Sequence, residues 1–117
     1  MELKKVIESI EKIVNNNLNL EYNTQDAYIA IDDVVYSILD TDSLFWSLTI
    51  RYSVKKGAQK TFLLPAIIGL PDDFSKFSKQ DIFALALVIT NLVADLVDSE
   101  AEEESLDPIE SKSKYYC

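Results

Sequence analysis

The residues of this chain that can do chemistry are mainly carboxylates, and they come in short clusters. Asp40-Thr41-Asp42-Ser43 and Asp72-Asp73 present oxygens at a spacing that suits a divalent cation. Neither cluster continues into a calcium loop, which needs a central glycine and a terminal glutamate. Aspartates are also common in turns and helix caps, and Asp32-Asp33 has the pattern of a hairpin turn. We therefore expect no metal and no cofactor.

Other kinds of reactive site are largely missing from the sequence. The chain has no histidine, which excludes Ser-His, Cys-His and histidine-metal arrangements within it. Gly57 and Gly69 are its only glycines, so it has no glycine-rich phosphate loop. Cys117, the single cysteine, stands at the C-terminus and has no partner for an internal disulfide. We predict a protein that is not an enzyme. A cation-dependent enzyme using Asp40, Asp42, Asp72 or Asp73 is an alternative.

Negative charge is concentrated at the C-terminal end. The formal net charge is −9, and after residue 94 only Lys112 and Lys114 are basic. Direct nucleic-acid binding is not expected, because it needs clustered lysine and arginine. Solubility is the simplest role for these acids, and a basic protein partner is the alternative. The acids of this region are Asp95, Asp98, Glu100, Glu102, Glu103, Glu104, Asp107 and Glu110.

The sequence predicts a cytoplasmic protein that is not attached to a membrane. The N-terminal residues form a charged amphipathic pattern without the apolar stretch of a signal peptide. The apolar run from Ile82 to Ile89 is shorter than the roughly 20 residues that span a bilayer. The absence of paired cysteines leaves the redox compartment open, with a reducing cytoplasm as the default.

The N-terminal half predicts one helix followed by strands. Apolar residues at helical spacing predict a helix over residues 2–15, which the three asparagines 15–17 should stop. Strict alternation from Leu18 to Tyr22 predicts a short strand. Residues Ala27–Leu39 fit either a helix or two short strands joined at Asp32-Asp33. Their β-branched residues and tyrosines favour strands.

A hairpin and a long helix follow. Alternation over Ser43–Val54 predicts a strand with Trp46 and Tyr52 on its core side, so packing is favoured over an aromatic platform for bases. Gln59–Gly69 should return beside it as a second strand, with a turn at residues 55–58. Ser78, with an acid three residues later, marks the start of a helix that runs to about Ala101.

Three surfaces are candidates for binding a partner. Phe83 and Leu87 widen the apolar arc of the last helix beyond what one small sheet covers, which predicts a homodimer or a partner groove. The alternative is that the sheet and the first helix bury this arc in a monomer. Pro65 cannot donate to a ladder and should mark a strand edge open to another chain. Phe45 and Arg51 should face outward from the sheet.

The order of helix, antiparallel strands and acidic helix resembles the small acidic chaperones of type III secretion and the YbjN-like proteins. The segments that carry the resemblance are Leu18–Tyr22, Tyr28–Tyr36 and Lys79–Glu100. It implies a dimer that holds a partner chain without ATP. That family places a helix between its strand groups, where this chain has only Asp40 to Ser43. No functional residue is therefore transferred.

Together these observations predict an α+β fold. It has an N-terminal helix, an antiparallel meander of three to five strands and a long C-terminal helix. We expect one domain over residues 1–103 and a disordered acidic tail over residues 104–117. The function expected is non-catalytic protein binding, of the chaperone, adaptor or inhibitor kind, with a homodimer as the expected assembly. A second alternative is a viral-type acidic inhibitor that mimics nucleic acid and blocks a host enzyme.

Overall fold

Two helices and an antiparallel sheet share one hydrophobic core, as the α+β prediction requires. The computed structural model describes residues 2–38, 44–54 and 59–105. Within these residues the sheet has three strands in the order β1-β2-β3. The elements are α1 (Leu3–Glu21), β1 (Tyr28–Ile38), β2 (Leu44–Ser53), β3 (Lys60–Pro65), a 3-10 turn (Phe74–Lys76) and α2 (Lys79–Ser105).

Helix α1 is longer than predicted. Neither the stop at residues 15–17 nor the strand over Leu18–Tyr22 is present, because α1 continues to Glu21. Val14 and Leu18 are both fully buried, so the helical spacing of core residues runs straight through the asparagines. The helix ends where Asn23 adopts a positive φ of 49°.

Hydrogen bonds to β1 explain why α1 tolerates its asparagines. Asparagine is a weak helix former because its side chain competes for backbone groups. Here the side chains of α1 instead accept bonds from backbone N–H groups along the outer edge of β1. Four helical residues rise about 6 Å, close to the length of two strand residues, so the bonds form at each turn. We call the three acceptors, Glu11, Asn15 and Asn19, the helix-to-strand ladder; they bind Ile31, Ile29 and Ala27 at 2.9, 2.6 and 3.0 Å.

The segment from Tyr28 to Ile38 forms one strand. Strand was the favoured prediction, but the predicted turn at Asp32-Asp33 is wrong. Ile31 pairs with Ile50 and Asp33 with Thr49, so the register shifts at Asp32. This extra residue is a β-bulge, which lets β1 run on unbroken while its pleat changes phase.

Strand β2 matches its prediction closely. It spans Leu44–Ser53, and its core side carries Trp46, Leu48, Ile50 and Tyr52, all buried. Strand β3 ends at Pro65, four residues before the predicted end. The predicted turn at residues 55–58 lies outside the described residues.

Aromatic packing closes one end of the core. The indole N–H of Trp46 donates to the Pro71 carbonyl at 3.0 Å. The Trp46 ring lies 4.8 Å from the Phe74 ring, and Phe74 stacks on Phe77 at 4.6 Å between centroids. Trp46 is fully buried, so it is a packing residue and offers no platform for a base.

Helix α2 begins with the predicted capping box. The Asp81 N–H donates to the Ser78 hydroxyl at 3.2 Å, and the Ser78 N–H donates to the Asp81 carboxylate at 2.8 Å. The helix continues to Ser105, beyond the predicted end near Ala101. Residues 106–117, which hold most of the predicted tail, lie outside the described residues.

Candidate protein-binding surface

Four large apolar side chains on the two helices are exposed; Leu3, at the start of α1, is 39% exposed, and the other three are more exposed. Phe83 is 60% exposed and Leu87 57%, one turn apart on α2. Leu20, near the end of α1, is 82% exposed. We call these three residues the helical apolar patch. Leu20 was not predicted as part of it, because the sequence placed Leu20 in a strand. Continuing the helical spacing of α1 past Val14 is the signal that would have found it.

The pitch of α2 leaves Phe83 and Leu87 uncovered. At 100° per residue, the buried residues of α2 centre near Ile82, and Leu87 stands roughly 140° away from that centre. The sheet and α1 therefore cover the buried side of α2, and the side that carries Phe83 and Leu87 stays exposed. The buried residues of α2 are Ile82, Leu85, Ala86, Ile89 and Val93.

Contacts between the helices place Leu20 beside Leu87. The Asn17 amide donates to the Thr90 hydroxyl at 3.4 Å, and the Tyr22 hydroxyl donates to the Ala94 carbonyl at 3.4 Å. From the first contact to the second, the residue number rises on both sides, from 17 to 22 and from 90 to 94. Helices α1 and α2 therefore run in the same direction. A shallow groove of about 430 Å³ lies between them, lined by Asn17, Leu20, Glu21, Leu87, Thr90, Asn91 and Ala94.

Charge differs between the two ends of this surface. Asp95 and Asp98 are exposed on α2 beyond Leu87, and Glu21 is exposed at the end of α1. Burial, followed by the neighbouring Asp98 carboxylate, raises the pKa of Tyr22 to about 12. The opposite end mixes the exposed side chains of Lys76 and Lys79 with the carboxylates of Asp72, Asp73 and Asp81.

The other predicted binding residues lie on the outward face of the sheet, away from Phe83 and Leu87. Arg51 forms an ion pair with Asp32 at 3.0 Å, and this hydrogen bond lowers the pKa of Asp32. Phe45 is partly buried. Pro65 is exposed on the edge strand β3, where it pairs with Ser47. The structure thus separates the predicted residues into two surfaces.

The aspartates considered for catalysis are only partly described. Asp73 accepts the Ser75 N–H at 2.9 Å, and this bond lowers the pKa of Asp73, as expected for a residue that caps a turn. Asp72 is exposed beside it. In the part of the chain that the structure describes, no group of three acidic, histidine or cysteine residues is placed to hold a metal. Asp40 and Asp42 lie outside it.

Helix α2 is apolar enough to merit a comparison with membrane spans. By length and composition alone, Lys79–Ser99 would suffice to cross a bilayer. A third of its most apolar window is buried within the fold. Core helices of folded domains pass the same test, so this property does not distinguish a membrane from a protein contact.

Comparisons with known proteins give no family for the chain. No family model matches it, and searches of curated proteins and of solved structures find no significant match.

Proposed function

We propose that this chain is a non-catalytic protein-binding module, of the chaperone, adaptor or inhibitor kind, and that the helical apolar patch is its binding surface. The observation that carries the proposal is the exposure of three large apolar side chains on two packed helices: Leu20 and Leu87 line one groove, and Phe83 lies one turn from Leu87 on α2. Complete burial of a leucine or phenylalanine side chain contributes about 1.5–3 kcal/mol. A partner that covers the exposed parts of these three side chains therefore gains a substantial fraction of this burial free energy for each of them.

The outward face of the sheet is a weaker candidate. Val35 and Leu63 are exposed there, at 44% and 71%. The β2 residues that pair with them are Ser47 and Thr49, which interrupt the apolar surface. The Arg51–Asp32 ion pair adds charge to the same face. This mixture is typical of a sheet whose outer face contacts water.

The edge of β3 is also less favourable than the helices. In the pairing with β2, Lys60, Phe62 and Leu64 alternate with Thr61, Leu63 and Pro65. Short length, an edge lysine and a proline are features that discourage the addition of another strand. The helical apolar patch is therefore the surface that we assign to binding.

Site-specific photo-crosslinking tests the proposal. A photoreactive phenylalanine analogue replaces Leu87 in one full-length chain and Leu63 in another, in the cells that make the protein. We expect a protein adduct from position 87 and little from position 63. Adding Leu20→Asp to the first chain should remove the adduct, because Leu20 belongs to the same patch. Mass spectrometry then identifies the crosslinked protein.

Two results would oppose the proposal. Adducts of equal yield at positions 87 and 63 would show random collision, and an adduct that survives Leu20→Asp would show contact outside the patch. Circular dichroism of each variant shows whether its fold is intact.

A further inference from the structure

We infer that a second copy of this chain covers the helical apolar patch, with the two α2 helices antiparallel about a twofold axis at Leu87. The inference rests on the proposed function and names the partner of that same surface. In such a dimer, an α2 residue that lies a given number of positions before Leu87 is level with the residue of the partner's α2 that lies the same number after it. The two residue numbers therefore add to twice 87.

The exposed face of α2 suits a close helix pair. Gln80, Leu87 and Ala94 are seven residues apart, and Gln80 and Ala94 each lie about 20° from Leu87, on opposite sides of it, given 100° per residue. This spacing brings a helix face against a second helix along much of its length. Ala84, also exposed, is small enough to let the backbones approach. In the antiparallel pair Gln80 of one copy lies opposite Ala94 of its partner.

The same axis makes the patch complementary to itself. Leu20 shares its groove with Asn91 of the same chain. Position 91 of one copy lies level with position 83 of its partner, because 91 and 83 add to twice 87. Phe83 lies on the side of α2 that faces α1, and the twofold axis keeps α1 of both copies on that side. Each Leu20 therefore meets the Phe83 of the other copy. The three side chains of the helical apolar patch are then all covered in a single symmetric contact.

Charge along the helices favours the antiparallel direction. From Asp95 to Ser105 the sequence of α2 has six acids and no base. At the other end of the helix Lys76 and Lys79 stand among Asp72, Asp73 and Asp81, so bases and acids are mixed there. An antiparallel partner places acids near lysines, whereas a parallel partner would place acids against acids.

Cysteine crosslinking of the purified full chain tests the arrangement. Cys117→Ser removes the native thiol, and Leu87→Cys, Gln80→Cys and Ala94→Cys each add one. With a short bismaleimide we expect Leu87→Cys to link to itself. Gln80→Cys should link to Ala94→Cys in a mixture and little to itself. Leu63→Cys, on the other side of the molecule, is the control and should not link.

Light scattering on the wild-type chain supplies the mass, and the expected value at tens of micromolar is twice that of one chain. A monomer mass over the whole range would overturn the second copy, as would preferential linking of Gln80→Cys to itself. Flotation with phosphatidylcholine vesicles that Leu87→Asp abolishes would also overturn it in favour of a lipid surface. The proposed function stands or falls separately, because an adduct of position 87 with a different protein preserves it.

Discussion

At the scale of single residues, Asn15 joins the first helix to the sheet. Its side-chain oxygen accepts the Ile29 N–H at 2.6 Å, in the middle of the helix-to-strand ladder. Removing it leaves a partly buried N–H unpaired, which costs about 1–3 kcal/mol. We expect Asn15→Ala to lower the free energy of unfolding by that amount, measured by urea denaturation. The single tryptophan, Trp46, reports the transition by fluorescence because it is buried.

The neighbouring Asn16 provides the control for this prediction. It is exposed and differs from Asn15 by one position on the same helix. Asn16→Ala gains the same helix propensity as Asn15→Ala. Its free energy of unfolding should lie within about 0.5 kcal/mol of the wild-type value or exceed that value. Equal stabilities for the two variants would mean that the ladder contributes no net energy.

Tyr22 should make the free energy of unfolding fall at alkaline pH. Its pKa is raised to about 12 in the fold, from about 10 in an unfolded chain. The folded state thus holds this proton more tightly. The contribution to stability is complete below pH 10 and is lost as the pH rises from about 10 to 12. We expect Tyr22→Phe to reduce this alkaline loss, measured as the unfolding midpoint in urea at pH 9, 10 and 11. If the unfolding midpoint falls by the same amount in wild type and Tyr22→Phe, the loss of stability comes from other titrating groups.

At the scale of elements, the start of α2 depends on its capping box. Ser78 and Asp81 satisfy each other's backbone N–H groups. Ser78→Ala removes one acceptor and should destabilise the protein by about 1 kcal/mol, as other lost N-caps do. Ser78→Asp keeps an acceptor and should retain most of the stability. Chemical denaturation of both variants distinguishes a cap effect from a general intolerance of substitution at this position.

Sequence alone predicted those elements whose pattern and local signals agree. Alternation fixed β2 to within a residue at either end, and the Ser78–Asp81 pair fixed the start of α2. Exposure of Phe83 and Leu87 followed from their angle on the helix. These features depend on periodicity and on contacts a few residues apart, which a sequence displays directly.

The errors came from contacts between distant segments. Asn15 to Asn17 read as a helix stop because their bonds to Ile29 and Thr90 are not visible in sequence. As a result, the end of α1 was predicted as a strand, and Leu20 was not predicted as part of the helical apolar patch. Asp32 read as a turn because a bulge and a turn share the same residue types, and only the pairing with β2 distinguishes them.

At the scale of the whole molecule, the helical apolar patch should affect association without affecting folding. Leu87 is 57% exposed, so a charge at this position meets water in the monomer. We expect Leu87→Asp to keep the thermal midpoint within a few degrees and to lower the average mass in light scattering to that of one chain. Leu63→Asp makes the same change on the sheet and should leave the mass unchanged. Loss of the folded signal in Leu87→Asp would show instead that Leu87 belongs to the core.

Charge placement gives a finer test of how two copies meet. In the antiparallel dimer, Lys79 lies near the acidic end of the partner's α2. It has the same level along the helix axis as Asp95 of the partner, because 79 and 95 add to twice 87, but the two side chains stand on opposite edges of the contact. Lys79→Gln should weaken association at low salt by roughly two-fold, the effect of losing a weak exposed attraction of about 0.4 kcal/mol. Thr61→Glu changes the net charge by the same single unit on the sheet and should have a smaller effect. Since salt screens exposed charges, the difference between the variants should fade as the ionic strength approaches 1 M. A difference that persists at high salt would contradict an electrostatic role for Lys79.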